Sequence, residues 1–275
     1  KYSVEEFDMQ QRKAYITQFA RHLKMTDQQK SRLHEVIQDQ RTADLYKTPL
    51  HLAIMCVLGT EEDQLPTTHT GMYLAIHEYI KEKAKRRLEL EHLSEEEIEN
   101  NLLKPFYKIS FDFYVSGKPH LSEEDFAGSS YRPDSYCQAG FITKKSLRKG
   151  WKQEVTITYS HRTYLEFLSA CYLQMMSQKD RTQWMQGIRI AHHQMVILFL
   201  YGILQGEALE SMVEITMKEM KSVMGAFGVP CSQTHALFAC INELKNTSAK
   251  IDDCIVETCP QFFPITPDCT TACMK

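Results

Sequence analysis

Apolar residues recur at helical spacing along most of this chain, and in one region they switch to strict alternation. Asp8-Met9-Gln10-Gln11 has the spacing of a capping box, and Tyr15, Ile16, Phe19 and Leu23 behind it share one helical face. Thr26–Gln29 repeats that spacing and opens a second helix through Leu33, Val36 and Ile37. The apolar run after Lys47-Thr48 predicts a buried helix, with Pro49 suited to its first turn and Gly59 to its end. Leu65–Thr70 reads as a turn and cap before a helix through Met72, Ile76, Tyr79 and Ile80. Ser94-Glu95-Glu96-Glu97 caps another helix, which runs from Ile98 to about Tyr114 with an interruption near Pro105. Ser122–Asp125 begins a short one, and a loop containing Gly, Ser and Pro is expected from Ala127 to Gln138.

Val155–Tyr159 alternates, and Phe141–Leu147 and Gln153–Tyr159 predict a hairpin turning at Arg148-Lys149-Gly150-Trp151. Helical spacing resumes at Tyr164, Leu168, Cys171 and Met175. Ser160, between the two patterns, reads as an N-cap and would place His161 at the first helical position. Beyond Ser177 the pattern gives helices over Trp184–Ile190, Met195–Leu204, Ala208–Val223 and Thr234–Leu244, with breaks at Gly187, Gly206, Gly228 and Pro230. Stacked helices of this kind suggest a superhelical array. The expected fold is therefore mainly α: a helical domain, a winged-helix domain with one small β-hairpin, then a superhelical α array. The expected boundaries are 1–62, 63–176 and 177–260, with 261–275 leading into something further.

Composition narrows the function classes. A length of 275 residues allows two or three small domains. A hydrophobic share of 43% and a charged share of 24% are ordinary for a globular protein, and a net charge of −3 argues against a general nucleic-acid binder. The longest apolar run, Met195–Leu204, is about half of what a membrane span requires, and no signal segment opens the chain. No membrane partner is expected. Beginning at Lys1, the chain is expected to be a piece of a longer protein. Nine cysteines, an odd number, are scattered from Cys56 to Cys273, and Cys56, Cys171 and Cys240 fall on apolar faces. That usage fits reduced thiols in the cytoplasm better than a disulfide framework.

Catalytic chemistry finds little footing. The chain has no Gly-x-x-x-x-Gly-Lys-Ser/Thr phosphate loop, no apolar strand ending in paired acids and no nucleophile in a recognisable strained turn. An enzyme is not expected. Cys254, Cys259, Cys269 and Cys273 are separated by four, nine and three residues, which misses the close pairs of a zinc site, so no metal is expected. His192 and His193 are adjacent and would point about 100° apart on a helix. Lys144, Lys145, Arg148, Lys149 and Lys152 make the hairpin basic, with Trp151 among them. Such a wing can lie on DNA phosphate, or it can simply be solvated or face a protein.

His161 is the sharper candidate. The first turn of a helix carries unpaired N–H groups and partial positive charge, so a histidine there adds a donor to an anion site. The same residues also describe an ordinary strand-to-helix corner with a solvent-facing ring.

Tyr159-Ser160-His161-Arg162-Thr163-Tyr164-Leu165-Glu166-Phe167-Leu168-Ser169-Ala170 resembles the Phe-x-His-x-Ser/Thr-Phe-Gln-Glu-Phe/Tyr-Leu-Ala-Ala block that ends the winged-helix domain of NOD-like receptors. Its departures include Tyr159 for Phe, Leu165 for Gln and Ser169 for Ala. Thr48-Pro49-Leu50-His51-Leu52 through Cys56 is similar to the segment closing the first helical domain of their NACHT module, about a hundred residues earlier and in the same order. His235–Glu243 looks like a recurrent segment of their second helical domain, and 262–275 like the lead-in to leucine-rich repeats. The resemblance implies that His161 reaches the β-phosphate of ADP and that Pro49 packs on the adenine. It also implies an upstream nucleotide-binding domain that holds ADP or ATP, downstream leucine-rich repeats, and self-oligomerisation of an innate-immune sensor. A nucleic-acid-binding winged-helix protein with a helical dimerisation region is the alternative.

Overall fold

The computed structural model describes residues 6–39, 43, 45–61, 65–149, 152–186, 188, 190–223, 231–244 and 248–262. These residues are mainly helical, with one two-stranded antiparallel sheet. They fall into two compact units divided within one helix, after His77.

The amino-terminal unit opens with α1 (Met9–His22) and α2 (Asp27–Gln38), each begun by the capping box its sequence predicts. Asp8 accepts from the Gln11 N–H at 2.8 Å while the Gln11 side chain accepts from the Asp8 N–H at 2.9 Å. Thr26 and Gln29 make the same exchange. α3 (Pro49–Glu61) and the first turns of α4 (His69–Arg87) complete the unit. Ile16, Leu33, Ile37, Leu52, Met55 and Cys56 are fully buried, each apolar side chain stabilising the fold by about 1.5–3 kcal/mol. Gly59 does not end α3, which continues to Glu61. Its role is close packing: a Cβ there would lie 2.6 Å from Leu33 Cδ2. At that contact Arg32 Nη2 donates to the Gly59 carbonyl and Gln29 Nε2 to that of Thr60. α2 thus supplies partners to carbonyls in the last turn of α3.

Beyond His77, Lys81 and Lys85 of α4 pair with Glu78 and Glu82 on their own helix and with Glu95 at the start of α5 (Glu95–Ile98). A π turn (Glu99–Leu103) then leads directly into α6 (Lys104–Ser116). The interruption expected at Pro105 is absorbed there. The Lys104 N–H reaches back to the Glu99 carbonyl, one residue further than in an α-helix. Pro105 has no N–H, and its ring would crowd the carbonyl four residues before it in a regular helix, so a widened turn accommodates it.

After a 3₁₀ turn (Glu123–Phe126), α7 (Pro133–Ala139) occupies the second half of the expected loop. Pro133 presets its first residue and Gly140, at φ 101°, ends it. β1 (Ile142–Lys149) and β2 (Lys152–Tyr159) pair antiparallel with Ile142 opposite Tyr159. The expected turn residues 150 and 151 lie outside the described residues. Leu121 adds a bridge, donating its N–H to the Ile157 carbonyl at 2.9 Å. Phe106 holds these pieces together: its ring stacks 4.4 Å from Tyr136 and lies 5.2 Å from Phe141 and 5.9 Å from Tyr159.

α8 (Arg162–Met175) packs on α6 and on α10 (Gln194–Ile203). Between them lie α9 (Gln178–Met185), capped by Ser177, and a 3₁₀ turn at Ile190–His192. The helix expected over Trp184–Ile190 therefore sits earlier, because the Ser177 side chain accepts from the Asp180 N–H and starts it there. α10 is buried from Val196 to Tyr201, as a run without a polar face requires. α11 (Gly206–Val223), α12 (Cys231–Ile241) and α13 (Ala249–Phe262) follow, α12 packing on α10 and α13 on α11. Gly206 turns the chain at φ 55°, while Gly187, Gly228 and Pro230 lie outside the described residues. No helix among the described residues is long and apolar enough to cross a membrane.

Candidate functional site

β2 delivers the chain to the candidate corner under tight control. The Tyr159 hydroxyl donates to Ser110 Oγ at 2.8 Å, and its ring lies between Phe106 and Phe113. The N-cap of α8 is His161, not Ser160. His161 keeps extended backbone (φ −147°, ψ 140°), and its Nδ1 accepts from the Thr163 N–H at 3.2 Å. The helix therefore begins one residue later than the sequence predicts, since strand geometry persists through Tyr159 and an imidazole nitrogen can take the capping role from serine.

That bond has a chemical consequence. With the Nδ1 lone pair engaged, the neutral ring carries its proton on Nε2. His161 is exposed, and Nε2 has no protein partner among the described residues. Partial burial lowers the ring's pKa from the ordinary 6.5, so the neutral form dominates at pH 7. The corner thus presents a neutral N–H donor beside the partly positive start of a 14-residue helix.

The next turn anchors the corner. Arg162 Nε donates to Glu166 Oε1 at 3.1 Å, and Glu166 is itself only 8% exposed. Burial raises the Glu166 pKa, opposed by Arg162. Tyr164, Phe167, Leu168 and Cys171 are buried beneath.

Pro49 is the first residue of α3 and is half-buried. Thr48 Oγ1 accepts from the His51 N–H at 3.2 Å, which fixes the turn before it. His51 Nδ1 lies 3.0 Å from the Leu45 carbonyl and Nε2 3.3 Å from the Tyr73 hydroxyl, so the ring donates to the first and accepts from the second. Pro49 belongs to the amino-terminal unit and His161 to the other.

The remaining candidates separate. His192 ends the 3₁₀ turn while His193 caps α10, so the two do not share a helix. His193 Nδ1 lies 2.7 Å from the Tyr114 hydroxyl, 79 residues away in sequence, and its ring stands edge-on to Trp184. Burial, then His192 and Arg162, lower its pKa. Nothing in local spacing signals that long-range pair. In the basic hairpin Lys144 is paired with Asp134 at 2.8 Å and Lys145 is exposed. The side chains of Arg148, Lys149 and Lys152 lie outside the described residues, as do those of Cys259, Cys269 and Cys273. No group of three or more His, Cys, Asp or Glu among the described residues is placed to hold a metal ion. Cys56, Cys171 and Cys240 are buried free thiols, all with raised pKa values, that of Cys56 pushed to about 12 by burial.

No protein-family model matches the chain, and no curated protein matches it.

Proposed function

We propose that the chain is a regulatory portion of a NOD-like receptor that holds an upstream nucleotide-binding domain in its ADP-bound, inactive state. The observation that carries this reading is the exposed Nε2–H of His161, set as a donor by its own Nδ1 cap on α8. A donor so placed suits a phosphate oxygen. In this reading 1–62 closes the first helical domain, with Pro49 against the base. Residues 63–176 form the winged helix, built from α6, the Leu121 bridge, α7 and the hairpin. Residues 177–260 form the superhelical array, with 261–275 leading to leucine-rich repeats.

His161 would bias the receptor only through the difference in contact between its two states. A hydrogen bond to a charged phosphate is worth about 1.5–3 kcal/mol, or about ten- to a hundredfold in population. Loss of that bond frees the winged helix to rotate as a body and permits oligomerisation.

The test uses a longer chain that includes the nucleotide-binding domain, with co-purifying ADP measured by chromatography. His161→Asn keeps a capping acceptor but removes the Nε2 donor; His161→Ala removes both. Loss of ADP and gain of oligomer mass in both variants is expected. Wild-type ADP content in both would eliminate the clamp.

A further inference from the structure

Beside the start of α8 lies a groove of about 300 Å³, walled by the end of α6, the last residues of β2 and the first turn of α8. Phe113, Pro119, Tyr159 and Leu165 give it an apolar floor. The hydroxyls along it are already engaged: Tyr159 with Ser110, Tyr114 with His193, and Thr158 with Thr143 at 3.3 Å. Two cations remain on the rim, Lys118 and Arg162.

Each cation is tethered from behind. Lys118 Nζ lies 2.7 Å from Asp125 and Arg162 Nε 3.1 Å from Glu166. The acids are recessed, with side chains 19% and 11% exposed, while Lys118 and Arg162 protrude at 52% and 78%. At Arg162 the outward face is therefore positive although its pair is neutral in sum, while the exposed Glu124 also acts on Lys118. Arg162 spends only Nε on Glu166, which leaves its terminal nitrogens as a fork, and Lys118 keeps two further donors.

We propose that this groove docks an acidic peptide segment of a partner protein. An Asp or Glu sits on the Arg162 fork, and a neighbouring aromatic or aliphatic side chain lies on Phe113 and Leu165. A planar carboxylate matches a guanidinium edge in two parallel hydrogen bonds. A phosphate can take the same guanidinium edge, but only a peptide also supplies an apolar side chain for the ring-lined floor. The apolar neighbour gains by leaving water, and the Arg162 end of the rim disfavours a basic residue. Docking here requires no nucleotide.

The experiment is fluorescence anisotropy on the 275-residue chain with a labelled Gly-Phe-Glu-Asp-Leu-Gly peptide. The comparison peptide carries Gln and Asn in place of the acids. The acidic peptide is expected to bind at least about tenfold more tightly than its amide counterpart, and Arg162→Gln to weaken it about tenfold. Binding should fade as salt rises. Thr158→Tyr fills the groove without touching either ion pair and should weaken binding equally, which covers unsettling of α8 by an unpaired Glu166. Absence of saturable binding, equal binding of the amide peptide, or binding unchanged in both variants would each overturn the proposal. Because the assay contains no nucleotide, its outcome is independent of ADP retention by the longer receptor.

Discussion

At the residue scale, the decisive pairing is a ring nitrogen with the peptide N–H two residues on. Because the folded pKa of His161 is lowered, the unfolded chain binds its proton more readily. Protonation of Nδ1 removes the cap's acceptor, so the cap's stabilisation is fully present above about pH 6.5 and is lost as pH falls from there through the folded pKa. Loss of an N-cap costs about 1 kcal/mol. Urea titrations should therefore show His161→Ala destabilised by about that amount above neutrality, with the gap to wild type closing in acid, and His161→Asn near wild type. Long-range ¹H–¹⁵N spectra should show the Nε2–H tautomer in the wild type; a dominant Nδ1–H form would contradict the cap. The histidine itself was legible in the sequence, but its capping role was not. Choosing between Ser160 and His161 depends on where β2 releases the backbone, and the long-range contacts of Tyr159 with Ser110, Phe106 and Phe113 decide that.

At the element scale, local signals read well and contact-dependent ones did not. The boxes at Asp8, Thr26 and Ser94 involve residues three apart, so each helix start is written in four residues. Gly59 looked like a helix end because a glycine's close approach to Leu33 cannot be read from one segment. Gly59→Ala gains about 1 kcal/mol of helix propensity but pushes a methyl into fully buried Leu33, and overpacking costs about 1–3 kcal/mol. A net loss of about 1 kcal/mol in chemical denaturation is expected. Phe106→Ala should be far worse, about 3–5 kcal/mol, since Tyr136 of α7, Phe141 just before β1 and Tyr159 of β2 all rest on it. α13 lies in the stretch that reads as helical beyond Ser177 but had no bounds of its own, because acids and cysteines dilute its apolar face; Ile251 near its start is buried.

At the scale of the whole molecule, each unit has its own buried interior and its own thiol reporters. Cys56 reports on the amino-terminal unit, Cys171 and Cys240 on the other. Pulse alkylation read by peptide mass spectrometry should label the partly exposed Cys137 and Cys254 before the three buried thiols Cys56, Cys171 and Cys240. With rising urea, Cys56 should become reactive at a different midpoint from Cys171 and Cys240, as expected of units with separate cores. A single shared midpoint would show instead that the two units unfold together.

The widened turn before Pro105 also sets a phase. One extra residue within a helical path advances every later side chain by about 100° relative to an uninterrupted helix. Removing one residue from Glu99–Leu103 would thus preserve composition almost unchanged while swinging Phe106, Ser110 and Tyr114 away from Tyr136, Tyr159 and His193. The molecule should tolerate point changes on the exposed side of that turn, at Asn100 or Asn101, far better than the loss of either residue.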